Sequence, residues 1–426
     1  MTAEIAIMNH EAVALAADSA VTLSEGKIFP SANKIFALTK CAPVGIMLYQ
    51  NPSLTKIPLE TLIKTYRKRL GKKRFNKLDD YASDFLKFLG KETRHIPEKE
   101  QKQFFVYGVH FFFHKLRGDI KERLVDELSN KKTITYNDIV KIFVDAINQE
   151  HKSFSKLKSS KSIIREKYLF YKNRNIIRNI RDKFFGKAKF LPKHVCNKLD
   201  EMGLQIFTRN NVVTPFHTGI VIAGFGEKEV MPALTQIIVD GVFDNKIIIR
   251  HRGSESIDFD AGATVMAFAQ KEMVTRFMDG IDPEFNADID KFIWDLLINY
   301  PSVILDNIPR LNQRQKMLLL KKTRKLAPEI LKKYRANLKD YKRNKFSEQI
   351  TEIVLNMPKA ELAAAAESLV SLTSFKRKIS KQRESVGGPI DVAVISKGDG
   401  FVWIKKKQYF KQELNPAFIL NYSGGD

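Results

Sequence analysis

The chain opens on two short apolar runs, residues 3–8 (AEIAIM) and 12–17 (AVALAA), separated by Asn9-His10-Glu11. Their length and the polar break predict a hairpin of strongly buried strands. Residues 33–38 and 44–49 predict a second strand pair, turning at 39–43. Ile57, Leu59, Leu62, Ile63 and Tyr66 then recur at helical spacing to about Leu70, with Thr55 as N-cap and Pro58 tolerated in the first turn. From about 71 to 212 the signals are helical. One helix is expected over 81–89 and a very aromatic one over 104–128. A third starts at Thr135, where Thr135-Tyr136-Asn137-Asp138 has the form of a capping box with Asp in place of Glu. Strand patterns return at 219–225, 231–242 and 246–250. A helix is expected over 261–278, a second helical stretch over about 282–348, and an Ala-rich helix from Lys359 to about Phe375. The described pattern closes with a hairpin, 389–395 and 400–404, turning at 397–400.

Strands and helices come in groups rather than alternating, which predicts an α+β fold of two packed sheets with helices outside. Composition adds limits. A hydrophobic content of 44% allows a sizeable core. No run approaches eighteen apolar residues, so no transmembrane helix and no membrane partner is expected. The N-terminus has no basic region followed by an apolar one, so no secretory signal is expected either. Cys41 and Cys196 form neither a disulfide framework nor a zinc pattern, and a cytoplasmic location is expected. His110 and His114 stand four apart without a third ligand and read as part of an aromatic helix face, so no metal and no cofactor is expected.

Charge changes the picture more. The net charge is +24 with a pI near 9.7. Residues 152–198 carry fifteen Lys/Arg against Glu166 and Asp182, net +13, and residues 310–345 carry fourteen against Glu329 and Asp340, net +12. The rest of the chain is close to neutral, so two basic helical segments ride on a neutral body. Three readings stand open for them: a solvated helical face, docking to an acidic partner, or nucleic-acid binding supported by interleaved aromatics such as Tyr168, Phe170, Tyr171 and Tyr334.

The opening Met-Thr carries candidate chemistry. Methionine is removed when a small residue follows, which would expose Thr2. A terminal threonine holds a hydroxyl nucleophile and an α-amine with an unperturbed pKa of roughly 7.7–8.0, a base suited to neutral pH. Asp18 follows sixteen residues later at the end of the second strand, and Lys34 sixteen after that at the start of the third. Adjacent strands would bring all three to one end of a sheet, with the ammonium of Lys34 favouring the reactive forms and Asp18 orienting it.

This spacing resembles that of the proteasome β-subunit and HslV peptidase family of N-terminal-nucleophile hydrolases. Ala17-Asp18-Ser19-Ala20-Val21-Thr22 is similar to the family's Ala-Asp-Ser-Arg-Ala-Thr segment, which implies substrate-backbone contacts at Thr22 and Ala20. Gly387-Gly388-Pro389-Ile390-Asp391-Val392, followed by Asp399-Gly400, is similar to the family's late strand and hairpin. The resemblance implies a four-layer αββα sandwich built from 1–70, 213–278 and 352–426, with helical insertions at 71–212 and 279–351. It implies a threonine peptidase acting on protein or peptide substrates, an oxyanion hole at the backbone amide of Leu48, and Glu384 and Ser385 beside the nucleophile. It also implies a homo-oligomeric ring fed by an ATP-dependent unfoldase. The chain departs from the pattern at three places. Leu48 stands where the family has Gly, no Ser occurs in Asp260–Ala263, and Glu384 and Ser385 fit only with a register shift that otherwise leaves Arg383 and Val386 there. The competing reading is an inactive scaffold that binds nucleic acid or an acidic partner through 152–198 and 310–345; a small-molecule amidase is a third.

Overall fold

Short apolar runs become buried strands where a partner completes their hydrogen bonds, and the chain supplies those partners from far along its length. A computed structural model describes all residues except 1, 23–26, 131–132, 134, 159–165, 187–190, 211, 213, 260–261, 310, 381–385, 409 and 417–426. The longer strands, in chain order, are β1 (Glu4–Asn9), β2 (Ala12–Ala17), β3 (Ile35–Ala37), β4 (Val44–Gln50), β5 (Thr218–Gly224), β6 (Ala233–Phe243), β7 (Lys246–Ser256), β8 (Ala263–Ala267), β9 (Asp391–Ser396) and β10 (Gly400–Lys405). The helices are α1 (Leu59–Leu70), α2 (Leu78–Glu92), α3 (Glu98–Asn130), α4 (Tyr136–Lys156), α5 (Glu166–Phe185), α6 (Lys193–Thr208), α7 (Glu272–Asp279), α8 (Pro283–Asp306), α9 (Gln313–Lys342), α10 (Glu348–Leu355) and α11 (Lys359–Ile379). The fold is α+β with antiparallel sheets, and the chain divides into two units.

The first unit holds residues 1–32, 257–396 and 402–426. Its sheet has the order β8-β1-β2-β9-β10. The opening hairpin forms as the apolar runs predict, with Ile5 opposite Ala16 and Ile7 opposite Ala14. One face of β1, β2 and β9 presents Ile5, Ile7, Ala14, Ala16, Val392 and Val394 to a core shared with Leu362, Ala363, Ala366 and Val370 of α11. Alanines on both the strands and the helix keep the two elements close, since neither side interposes a long side chain. The expected helix over 261–278 is corrected. Its first part is strand β8, and only Glu272–Asp279 is helical. Thr264 and Val265 pair with Met8 and Ile7 of β1, and β-branched residues favour that extended pairing over a helix.

The second unit holds residues 33–256 and 397–401. Its sheet has the order β7-β6-β5-β4-β3. Ile46, Leu48, Ile220, Ile222, Ile237 and Val239 pack against Leu62, Ile63 and Tyr66 of α1 and Tyr81, Phe85 and Phe88 of α2. A separate aromatic core gathers α3 to α6 around Phe105, Phe113 and Phe207, and reaches the sheet at Phe243 and Ile248. The capping box at Thr135 forms: its hydroxyl accepts the Asp138 amide at 3.3 Å, and the Asp138 carboxylate accepts the Thr135 amide at 3.0 Å. Thr55 does not cap α1. It sits at φ +46°, its hydroxyl accepts the Val242 amide at 3.1 Å, and the helix starts at Leu59 after an extended Pro58.

Candidate functional site

Side chains two apart on a strand share a face. Ala3, Ile5 and Ile7 belong to the core with α11, so Thr2 and Glu4 project from the opposite face. Both are buried, Thr2 at 3% exposure and Glu4 at 1%. The Thr2 hydroxyl donates to Glu4 Oε2 at 3.0 Å. A carboxylate accepting from a hydroxyl is a group placed to take its proton.

Asp18 follows β2 directly and is 1% exposed. Its Oδ1 accepts the Ala3 amide at 3.0 Å. Its Oδ2 accepts the amides of Ala20 at 3.2 Å and Gly387 at 2.9 Å. The backbone repeats the connection: the Asp18 amide donates to Ala3 O at 3.1 Å and the Ser19 amide to Gly387 O at 3.2 Å. One buried carboxylate thus ties the start of β1, the turn after β2 and the segment ahead of β9. Holding the Ala3 amide fixes the backbone that carries Thr2.

The first unit therefore brings together Thr2, Asp18 and Ala20 from the residues expected by sequence. Thr22 ends a two-residue strand paired with Ile28–Phe29. Lys34 lies in the second unit just ahead of β3 and is buried. The amide of Leu48, expected to form an oxyanion hole, donates to the Lys34 carbonyl at 2.8 Å. Glu384 and Ser385 lie outside the described residues. Glu4 is the residue that sequence reasoning missed. The signal was its spacing of two from Thr2, hidden because it sits inside an otherwise apolar run.

The basic segments spend part of their charge internally. Arg178 and Arg181 grip the buried Asp200 at 3.1 and 2.7 Å, and Lys172 pairs with Glu98 at 3.1 Å. Arg335 meets Asp290 at 2.8 Å and Lys316 meets Asp306 at 3.2 Å. Tyr168 and Tyr171 are exposed, and Arg174 lies over the Tyr171 ring at 5.8 Å. His110 and His114 turn to Phe184, with ring centroids 4.7 and 6.0 Å away. Among the described residues no cluster of three metal-ligating side chains occurs, and no helix is long and apolar enough to cross a membrane.

No family model matches this chain, and no curated protein matches it. The membership expected from the opening motif, in the proteasome β-subunit and HslV family, is corrected accordingly: the motif spacing has no family-wide sequence match behind it. Among solved structures the chain is similar to a Gly-1 mutant of Anbu from Hyphomicrobium sp. strain MC1, at 11% identity and a TM-score of 0.27, over 98% of this chain and 93% of that one. A likeness at that score carries no argument about this chain.

Proposed function

We propose that this chain is a hydrolase of amide bonds, with peptides as its substrate class and Thr2 Oγ1 as its nucleophile. The buried hydrogen bond from the Thr2 hydroxyl to Glu4 supports this reading. Thr2 Oγ1 attacks the amide carbonyl as Glu4 takes the hydroxyl proton. The C–N bond breaks, the amine leaves with that proton, and an ester links the acyl group to Thr2. Water then attacks the ester and restores the hydroxyl. While Met1 is attached, the Thr2 nitrogen is an amide and Glu4 is the basic group at the hydroxyl. Loss of Met1 adds the α-amine as a second base.

The test uses a threonine-directed epoxyketone and a fluorogenic peptide amide on the wild type, Thr2→Ala and Glu4→Gln. Intact mass shows whether Met1 is gone, and peptide mapping places any adduct. The expected result is an adduct on Thr2, absent in Thr2→Ala, and peptide turnover reduced about 10²–10⁴-fold in Glu4→Gln, the usual worth of a general base. A chain lacking Met1 that gives neither adduct nor turnover sinks the proposal.

A further inference from the structure

Outside the two basic segments the chain is near neutral only in sum. Residues 64–95 carry eleven Lys/Arg against Asp79, Asp80, Asp84 and Glu92, net +7. Folding gathers part of that charge at one place in the second unit. A cavity of about 520 Å³ lies at the C-terminal half of α2, and its lining takes in the end of α1 and the start of β7. Five cations line it: Arg69 from α1, Lys87 and Lys91 from α2, Arg94 from the short turn Thr93–His95, and Lys246 from β7. Lys87, Lys91 and Arg94 follow at intervals of four and three, which keeps them on one side of the helical path. The Arg69 guanidinium lies over the Phe88 ring at 5.6 Å, and both groups border the cavity.

The carboxylates of this region are spent elsewhere. Asp84, the one carboxylate in the described lining, accepts the Tyr66 hydroxyl at 3.0 Å. Asp79 pairs with Arg252 at 2.6 Å, and Asp80 accepts the Lys77 amide at 3.3 Å. Glu92 stands about 140° around the helix from Lys87. Asp244 lines a different cavity, shared with Lys172. Among the described residues none of the five lining cations forms an ion pair. Cations at helix C-termini also offset the helix dipole, but each of the two helix ends here is worth only about half a charge. With Asp84 that comes to about −2 against +5, which leaves the cavity at about +3 and makes it a site for an anion.

Charge density selects the kind of anion. A phosphoryl group carries about 1.5–2 negative charges on three acceptor oxygens, whereas a carboxylate carries one. The two arginines offer fork-shaped donor sets that match phosphate, and the lysines add point charges. Leu86, Ile247 and Ile249 give the same cavity an apolar wall. We propose that it binds a compact ligand bearing two or more phosphates, either a bare phosphate chain or a nucleoside polyphosphate. A nucleic-acid strand follows an extended basic groove. Here the row of cations gives way, toward the start of α2, to Asp79 and Asp80.

Isothermal titration calorimetry of the full chain with inorganic tripolyphosphate, at about 0.1 M salt, tests this. Lys87→Gln with Lys91→Gln and Arg94→Gln is expected to weaken binding at least about tenfold, the worth of one charge-assisted hydrogen bond. Lys321→Gln with Lys322→Gln and Lys325→Gln removes the same charge from α9 and is expected to leave the affinity unchanged. All six positions are exposed, so an unmoved melting transition serves as the folding control. ATP that binds more tightly than tripolyphosphate assigns the ligand to the nucleotides, and ATP that binds no tighter assigns it to bare phosphate chains. Absence of binding by both, or equal losses in the two triple variants, overturns the proposal. A tetraglutamate peptide that binds as tightly as tripolyphosphate overturns it in favour of an acidic peptide. A single-stranded oligonucleotide that outbinds both phosphate probes, and is lost in the first triple variant alone, overturns it in favour of a nucleic-acid strand.

Discussion

Asp18→Asn changes one oxygen for one amide group at a site where three backbone N–H donors converge. The carboxylate serves Ala3 from Oδ1 and Ala20 and Gly387 from Oδ2. An asparagine keeps one acceptor oxygen, so in either orientation at least one of those amides faces an NH2 group and loses its partner. If the amide nitrogen replaces Oδ2, two amides are stranded. Leaving a buried donor unsatisfied costs about 1–3 kcal/mol each, and the bonds that survive lose the strengthening that charge gives them. A local cost of about 3 kcal/mol follows from the midpoint of one stranded amide and the weakening of the rest. At about 1.4 kcal/mol per decade, that is roughly a hundredfold increase in local opening. Hydrogen exchange of the peptides containing Ala3, Ala20 and Gly387 reads it directly, with the α2 region of the second unit as internal reference. Protection at those three amides that changes less than about threefold, a cost under about 1 kcal/mol, would refute the assignment of Asp18 as the tie between β1 and the segment ahead of β9.

Two further outcomes follow from packing and burial. A Cβ at Gly219 would stand 1.8 Å from the Tyr49 ring, whose hydroxyl accepts from Gln236 Nε2 at 2.6 Å. Gly219→Ala should therefore destabilise the second unit by about 1–3 kcal/mol or more in urea unfolding, and Tyr49→Ala in the same chain should recover part of the loss; equal midpoints for wild type and Gly219→Ala would disprove the clash. Burial pushes the Cys196 thiol up, whereas Cys41 is exposed. Iodoacetamide near pH 8 should label Cys41 and spare Cys196 in the folded chain, with Cys196 labelling rising only as pH increases further, because the thiolate is the reacting form. Equal labelling of both in native protein, read by peptide mass, would contradict the burial.

Much of the scaffold was legible because its signals are local. Gly400 at φ +76° turns the closing hairpin, and the Thr135–Asp138 exchange needs only four residues. The opening hairpin needs only a polar break between two apolar runs. What the sequence hid depended on distant partners. β8 reads as helix until β1 takes up its hydrogen bonds. Thr55 reads as a helix cap until Val242 claims its hydroxyl. At the site, Thr2 and Asp18 were readable from spacing, and Asp18 does reach the backbone of β1. Glu4 was not, because both faces of β1 are buried and the alternation that sets Thr2 and Glu4 apart from Ile5 and Ile7 is masked by uniform burial. The bond from the Leu48 amide to the Lys34 carbonyl was not readable either, because which amide of a strand is committed to a neighbour depends on register, and hydropathy carries no register.

The arrangement of the first sheet has a consequence for synthesis on the ribosome. β1 and β2 emerge first, yet β1 pairs with β8 and β2 with β9. The hydrogen bond donated by the Gly387 amide to Asp18 spans 369 residues. At translation rates of about 5–20 residues per second, the hairpin waits roughly 20–80 s for its last neighbour. Both of its edges are open until β8 is made, the β2 edge stays open until β9 is made, and its apolar faces lack α11, which covers one of them, for most of that interval. Residues 33–256 meanwhile complete their own sheet from a single continuous stretch. The second unit's sheet can thus close before that of the first, and the segment carrying Thr2 is made ahead of the strands that complete its sheet, which makes it the point where a chaperone or an aggregating neighbour competes with β9.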